Sequence, residues 1–263
     1  MGGFVELKQV GAVLTVALNR PDVHNAMNPG LIGELTRVFG EEIPGRDDVR
    51  VVVLTGNGRS FCAGADLTTM RAAADFTFAE NVADGEAIFD LMAAIDNCPK
   101  PVIARVNGAA IGGGVGLVAC ADIAVAVARA KFAFSEVRLG IVPAVISPYV
   151  LAKIGERNGR ELFLTGERFD AHKAQAIGLV HHVVADEAAL DTAVTERIQA
   201  LLQAAPGAQA AIKQLIKEVI HQPKAATREQ TVNLIAQRRA SDEGKEGMSS
   251  FLEKRKPWWQ GGD

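Results

Sequence analysis

The N-terminal residues alternate apolar and polar positions in the pattern of a β-hairpin. Val5 and the stretch 13–18 are strand-like, and Gly11 lies where a turn between two strands is expected. Asn28-Pro29 follows with two signals of a helix start, since asparagine can cap free backbone N–H groups and proline suits the first helical position. A hairpin followed by a helix is therefore predicted for this part of the chain.

The continuous apolar run at 51–55 predicts a strand that is buried on both faces, and further buried strands are predicted at 102–106 and 123–127. Between the first two of these strands, a long helix is predicted at 77–96, where Val82, Phe89, Met92 and Ile95 recur at helical spacing. Strands that alternate with helices in this way are typical of an α/β fold.

Beyond about residue 186 the strand signals stop and helical segments follow one another. They are predicted around 189–202, 208–220 and 225–239, with proline-containing breaks between them. We therefore predict two parts, an α/β core at residues 1–195 and a helical C-terminal region at residues 196–263. A chain of 263 residues is long enough to bury such a core without disulfides or a structural metal ion.

Charge and composition argue against several classes of function. The 28 Lys and Arg residues against 31 Asp and Glu give a net charge of −3, so a cationic face for nucleic acid is not expected. The most apolar stretch, 108–128, contains several glycines and Asp122, which argues against a membrane-spanning helix. The three cysteines are far apart and the five histidines lack metal-ligand spacing, so neither a disulfide framework nor a metal site is predicted. A cytoplasmic location is expected.

Two glycine-containing turns carry the candidate chemistry. Ser60–Leu67 and Asn107–Gly116 each follow a predicted buried strand, and Glu136 adds a carboxylate downstream. Glycine lets the backbone approach a ligand and a helix start presents free N–H groups, so two such turns can together donate to one developing oxyanion. One alternative is that both are only tight strand-to-helix turns. Another is dinucleotide binding, because 114–119 matches GxGxxA, although Asp122 precedes the next strand instead of ending it.

The chain resembles the crotonase family of enoyl-CoA hydratases and isomerases in five ordered motifs, which are Leu18–Met27, Phe61–Leu67, Asn107–Leu117, Phe134–Pro143 and Gly247–Pro257. The resemblance implies a crotonase-like spiral of ββα units with a helical C-terminal trimerisation region, assembled as a homotrimer or a dimer of trimers. It also implies an acyl-CoA thioester as substrate, with coenzyme A as part of that substrate and no separate cofactor or metal ion.

The resemblance also implies roles for individual residues. The backbone N–H groups of Ala65 and Gly113 match the family's oxyanion hole, and Glu136 matches the second of the two catalytic glutamates of the hydratases. Gly116 stands where the first glutamate is found, and we count it among the binding positions. The other predicted binding residues are Val23, His24, Ala26, Ala63, Asp66, Leu67, Phe251 and Lys254.

The expected function is that of an enoyl-CoA hydratase, a lyase of fatty acid metabolism that adds water across the 2,3 double bond of an acyl-CoA thioester. Because Gly116 removes one carboxylate, three alternatives stay open. The first is a 3-methylglutaconyl-CoA-type hydratase, in which Arg71 or Arg138 would bind a substrate carboxylate. The others are an enoyl-CoA isomerase or other crotonase chemistry, and a non-catalytic acyl-CoA-binding homologue. The apolar segment 142–148 replaces the glycine-rich loop of many members and is expected to reshape the acyl pocket.

Overall fold

Two β-sheets form the centre of the computed structural model, which describes residues 3–261. The strands are β1 Val5–Val10, β2 Val13–Leu18, β3 Val51–Gly56, β4 Val102–Val106, β5 Ala110–Ile111, β6 Ile123–Val127, β7 Lys131–Ala133, β8 Arg168–Asp170 and β9 His182–Val184. The helices are α1 Pro29–Arg37, α2 Leu67–Ala73, α3 Phe78–Asp96, α4 Gly113–Cys120, α5 Ser147–Thr165, α6 Ala171–Ala176, α7 Glu187–Gln203, α8 Pro206–Val219, α9 Arg228–Ala240 and α10 Asp242–Leu252. The predicted α/β fold is confirmed.

The larger sheet has the strand order β1-β2-β3-β4-β6-β9. β1 and β2 are antiparallel, with Val10 opposite Val13 and Gly11 in the turn at φ 55°, which confirms the predicted hairpin. The other neighbouring strands are parallel. Every residue of β3 is buried, as its continuous apolar sequence predicts for a strand covered on both faces.

The smaller sheet, of β5, β7 and β8, positions the candidate site. β5 pairs in parallel with β7, with Ile111 opposite Ala133, and β7 pairs antiparallel with β8. The carboxyl ends of two parallel strands meet at the same sheet edge. The residues that follow Ile111 and Ala133 therefore lie close together, although more than twenty positions separate them in the chain.

Local sequence signals set the helix starts. The Asn28 side chain accepts a hydrogen bond from the Leu31 N–H at 2.9 Å, which caps α1 as predicted. Thr77 and Glu80 form a reciprocal capping box at the start of α3. These contacts use side chains to satisfy N–H groups that the first helical turn leaves free.

The predicted helix at 77–96 is confirmed as α3, but its regularly spaced apolar residues are buried only toward its C-terminal end. Met92 and Ile95 are buried where α3 packs against α1 and α4. Val82 and Phe89 are 42% and 49% exposed. Helical spacing identifies an apolar stripe but does not tell how far a neighbouring element covers it.

Four helices follow β9 without an intervening strand, which confirms the helical C-terminal region. The boundary predicted between residues 195 and 196 falls inside α7, and the division into two parts stays a prediction. Within residues 3–261, no helix combines the length and the apolar character needed to cross a membrane.

Candidate active site

The two glycine-containing turns lie side by side. Cys62 and Ala110 form a parallel β-bridge, and the Ile111 N–H donates to the Cys62 carbonyl oxygen at 2.9 Å. A Cβ atom at Gly64 would lie only 2.8 Å from the Ile111 carbonyl oxygen. Glycine at position 64 therefore allows the two backbones to touch, and its φ of 85° is one that other residues rarely adopt.

The Ala65 N–H points into the space beside this contact. The Gly64 carbonyl oxygen accepts a hydrogen bond from the Met27 N–H at 2.7 Å. In a trans peptide the carbonyl and the following N–H point in opposite directions, so the Ala65 N–H points away from Met27. Within residues 3–261 no backbone or side-chain group accepts a hydrogen bond from it.

Gly113 supplies a second free N–H by the same reasoning. The carbonyl oxygen of Gly112 accepts hydrogen bonds from the N–H groups of Val115 at 2.8 Å and Gly116 at 3.3 Å, so it is directed into α4. The Gly113 N–H points the opposite way, out of the first turn of α4, and has no acceptor among the described residues. The positive end of the helix dipole adds to the attraction of this N–H for negative charge.

The Glu136 carboxylate lies against the second turn. Glu136 is the second residue of a short 3₁₀ segment, Ser135–Leu139, which only Phe134 separates from the end of β7, at the edge where β5 also ends. A Cβ atom at Gly112 would lie 2.9 Å from Glu136 Oε1, so glycine leaves room for the carboxylate. The structure therefore brings the Glu136 carboxylate next to Gly112, the residue before Gly113.

The carboxylate of Glu136 has no side-chain partner among residues 3–261. Its Oε2 atom is buried and accepts no hydrogen bond from any of these residues. Burial raises the pKa of Glu136 above the ordinary value of a glutamate, and a hydrogen bond from its own backbone N–H opposes the shift. The ion pair with Arg138 that a merely structural glutamate would form is absent from the described residues, since Arg138 Nε donates to the Thr165 carbonyl oxygen at 3.3 Å. A partly buried carboxylate with a raised pKa is typical of a group that exchanges protons.

Hydrogen bonds of buried groups hold the segment before α1 against the first glycine-containing turn, Ser60–Leu67. Asn25 is fully buried, and its side-chain amide donates to the carbonyl oxygens of Asn57 at 2.9 Å and Ser60 at 2.8 Å. The Ala63 N–H donates to the His24 carbonyl oxygen at 3.0 Å, and His24 Nδ1 lies 3.1 Å from Ser60 Oγ. These contacts place the predicted binding residues His24 and Ala63 beside the turn that carries the Ala65 N–H.

The Asp66 carboxylate is engaged in contacts within the protein. Its carboxylate is 2.9 Å from Arg20 in a buried ion pair and accepts hydrogen bonds from the N–H groups of Thr68 and Thr69 at the start of α2. Burial opposes ionisation of Asp66, but these donors outweigh it and lower its pKa. Arg20 also donates to the carbonyl oxygen of buried Ala26, so the pair joins two of the predicted binding positions.

Two further predicted binding residues present apolar side chains to solvent near this site. Val23 lies in the loop that Asn25 fastens, and it is 44% exposed. Leu67 follows Asp66 directly and is 73% exposed. Exposed apolar groups beside free N–H donors form a surface that suits a ligand with both a polar and an apolar part.

Gly116 lies beneath other side chains. A Cβ atom there would be 2.5 Å from Ile146 Cγ2 and 3.1 Å from the Met92 terminal methyl, and Gly116 itself is buried. The structure thus gives Gly116 no open space toward a ligand, and its binding role stays a prediction. The GxGxxA pattern lies inside α4 instead of in a loop before a helix.

Phe251 and Lys254 lie away from Glu136 and the two glycine-containing turns in the single chain. They lie at the end of α10 and just beyond it, and α10 packs mainly against α9. Phe251 is 82% exposed, and in the described part of the chain no hydrogen bond links either side chain to Glu136 or to the two turns. Their predicted binding role stays a prediction.

Four residues of the site were not singled out from the sequence. Gly64 and Gly112 both have positive φ and touch the opposite turn or the carboxylate, while Met27 and Ile146 pack on glycines of α4. The two glycines lie inside the motifs, so the signal for them was present. Nothing in the sequence indicates the contacts of Met27 and Ile146, because they form between distant segments.

The arrangement has the parts needed to stabilise an enolate. Two free N–H groups can hold an oxygen on which negative charge develops, and the adjacent carboxylate can accept or deliver a proton. Among the described residues, no group of three or more His, Cys, Asp and Glu side chains is placed to hold a metal ion.

Comparison with known proteins gives one family. The family described as "Enoyl-CoA hydratase/isomerase" matches residues 8–262. A curated relative, the 2,3-dehydroadipyl-CoA hydratase of Escherichia coli, is 34% identical over 253 residues, which cover 95% of this chain and 95% of the relative.

Solved structures agree with the sequence comparison. An enoyl-CoA hydratase from Shewanella pealeana superposes with a TM-score of 0.93 at 40% identity, covering 97% of this chain and 96% of the other. A putative enoyl-CoA hydratase/isomerase (crotonase) from Legionella pneumophila superposes with a TM-score of 0.90 at 42% identity, covering 98% and 99%.

Proposed function

The chain belongs to the enoyl-CoA hydratase/isomerase family, and on that premise we propose that it is an enoyl-CoA hydratase that works through Glu136 and the N–H groups of Ala65 and Gly113. The observation that carries this proposal is the half-buried Glu136 carboxylate against Gly112, with its Oε2 atom buried, next to one of two free N–H donors. The thioester oxygen of the substrate accepts hydrogen bonds from both donors, which form the oxyanion hole.

Glu136 acts first as a base and then as an acid. Its carboxylate takes a proton from water while the water oxygen bonds to C3 of the substrate, and the double-bond electrons move onto the thioester oxygen. The two N–H donors hold that charge, and loss of one such donor typically costs about 10²–10³ in rate. Glu136 then delivers its proton to C2, so one water is added and the carboxylate is regenerated.

One feature of α4 favours a second candidate function, an enoyl-CoA isomerase. The helix contains no Asp or Glu, and Ile146 fills the space beside Gly116, so α4 brings no second carboxylate to the site. A single carboxylate suits the transfer of a proton from one carbon atom to another. An isomerase would exchange substrate protons with heavy water without forming a hydroxyacyl product.

The test of the proposed function is the loss of enoyl-thioester absorbance on addition of purified protein, with crotonyl-CoA and 3-methylglutaconyl-CoA compared. We expect turnover of crotonyl-CoA with formation of the 3-hydroxyacyl product. Turnover confined to the branched diacid would make the protein a 3-methylglutaconyl-CoA-type hydratase. In that case Arg71, whose side chain forms no ion pair or hydrogen bond among the described residues, is the stronger candidate for the substrate carboxylate, since the Arg138 side chain already donates to the Thr165 carbonyl oxygen. Binding without turnover of either substrate would contradict the proposal.

The activity is expected to fall at low pH with an apparent pKa above that of an ordinary glutamate. Glu136 must be ionised to accept the proton of water, and burial raises its pKa. The stabilising effect of protonating Glu136 is complete below its unfolded pKa and is lost as pH rises through its folded pKa. Measurement of kcat/KM against pH checks this. An acidic limb at the pKa of an exposed glutamate, or none, would contradict it.

We also propose that the protein is a homo-oligomer, a trimer or a dimer of trimers. Eight large apolar side chains are exposed on the last three α-helices of the described residues or directly after α8, namely Ile212, Ile216, Ile220, Val232, Ile235, Met248, Phe251 and Leu252. So many exposed apolar side chains within one helical region support burial of these helices against another copy of the chain. Sedimentation as a monomer at assay concentrations would contradict the proposal.

A cytoplasmic location is part of the same proposal. The three cysteines are free and buried, which suits a reducing compartment. We propose no cofactor beyond the coenzyme A portion of the substrate.

A further inference from the structure

Met27 touches both of the segments that supply the free N–H groups. Its backbone pairs with the first turn, since its N–H donates to the Gly64 carbonyl oxygen at 2.7 Å and its carbonyl oxygen accepts from the Asp66 N–H at 2.9 Å. Its side chain extends to the second turn. A Cβ atom at Gly113 would lie 2.1 Å from the Met27 terminal methyl, so that methyl occupies the space above Gly113.

The surroundings of Met27 hold it in place. The side chain is 4% exposed, and the segment before it is fastened by the buried amide of Asn25. The pairing on both sides of Ala65 fixes the direction of the Ala65 N–H, because the peptide plane is rigid. Contact of the methyl with Gly113 limits how closely the first turn of α4 can approach.

We propose that Met27 is a positioning residue that sets the separation between the Ala65 and Gly113 N–H groups. Its backbone fixes the first donor and its terminal methyl fixes the second. The proposal rests on the proposed function, in which both donors bind one thioester oxygen. Donors at a fixed separation cost no rearrangement when charge develops, whereas a displacement of about 1 Å can lower the rate about 10²-fold.

The chain offers a reciprocal pair of substitutions to test this. Met27→Ala removes the methyl above Gly113 and keeps the backbone pairing. Gly113→Ala places a new methyl in the same space and collides with Met27. The double variant Met27→Ala/Gly113→Ala puts the new methyl into the vacated space, and Gly113 lies in a helix at a φ that alanine adopts. We expect each single variant to lower kcat by about ten- to a hundredfold, and the double variant to exceed both.

The direct readout is the carbonyl stretching frequency of bound butyryl-CoA, isotopically labelled at the thioester carbon. This saturated thioester cannot be hydrated, so the measurement needs no turnover. Two well-placed donors lower the frequency. We expect the single variants to lose much of that lowering and the double variant to recover it.

Met92→Ala is the matched control. It removes the same atoms from a buried methionine that also contacts α4, but at Gly116. We expect the carbonyl frequency to stay at the wild-type value. The same loss in Met92→Ala, an unshifted frequency in Met27→Ala, or a double variant worse than both single variants would overturn the proposal. If Met27→Ala does not fold, Gly113→Ala still tests the contact, and an unshifted frequency there overturns it. Absence of any lowering in the wild type would instead contradict the proposed function.

Discussion

Replacement of Glu136 by glutamine is expected to lower kcat for hydration by about 10²–10⁴-fold, the usual contribution of a general acid–base group. Glutamine has nearly the same shape as glutamate but can neither take the proton of water nor return one to C2. The KM for crotonyl-CoA is expected to change little, since the proposed binding contacts of the thioester oxygen are backbone N–H groups. Steady-state kinetics of the purified variant give both values.

The fold of this variant is expected to be retained. Because Glu136 is half-buried and its Oε2 atom has no partner among the described residues, its ionised form opposes folding at neutral pH, and a neutral amide removes that cost. Thermal unfolding checks this. Glu161→Gln is the control, because Glu161 on α5 forms a surface ion pair with Lys173 on α6, and the loss of this pair is expected to leave kcat unchanged. Wild-type activity in Glu136→Gln would assign the proton transfer to another group.

Replacement of Gly64 by alanine is expected to lower kcat by about 10²–10³-fold, the effect of losing one oxyanion donor. The new Cβ would lie 2.8 Å from the Ile111 carbonyl oxygen, which is backbone and cannot move freely. The turn Ser60–Leu67 must therefore shift away from the turn Asn107–Gly116, and the Ala65 N–H moves with it. The kcat for crotonyl-CoA measures the effect.

Gly11→Ala separates the steric effect from conformational strain. Gly11 also has positive φ, but no heavy atom lies within 4 Å of the Cβ position, and it belongs to the distant β1–β2 turn. Alanine in this conformation costs about 1–2 kcal/mol in either variant. We expect both variants to lose stability and only Gly64→Ala to lose most of its activity. Equal activities would show that the contact between the two turns does not position the donor.

Short-range features of the fold follow from the sequence. Gly11 marks the hairpin turn, and Asn28 caps α1 as its side chain and the following proline predict. Mainly apolar sequences identify β3, β4 and β6, because a strand covered on both faces has few polar positions, and β4 contains a single charged residue, Arg105. Each of these features depends on residues only a few positions apart.

Features that depend on distant contacts do not follow in this way. The position of Glu136 against Gly112 results from the pairing of β5 with β7, and β5 has only two residues and no distinct hydrophobic pattern. The cover of Ile146 over Gly116 likewise joins segments thirty positions apart. The exposure of Phe89 depends on which neighbour covers α3, and a local period does not contain that information.

The most direct test of the proposed chemistry is the mass of the product formed from crotonyl-CoA in water enriched in heavy oxygen. Our account predicts that the product gains one labelled water at C3, that the wild-type protein forms it rapidly, and that Glu136→Gln forms it far more slowly. A product of unchanged mass, or equal rates for the two proteins, would contradict hydration through Glu136.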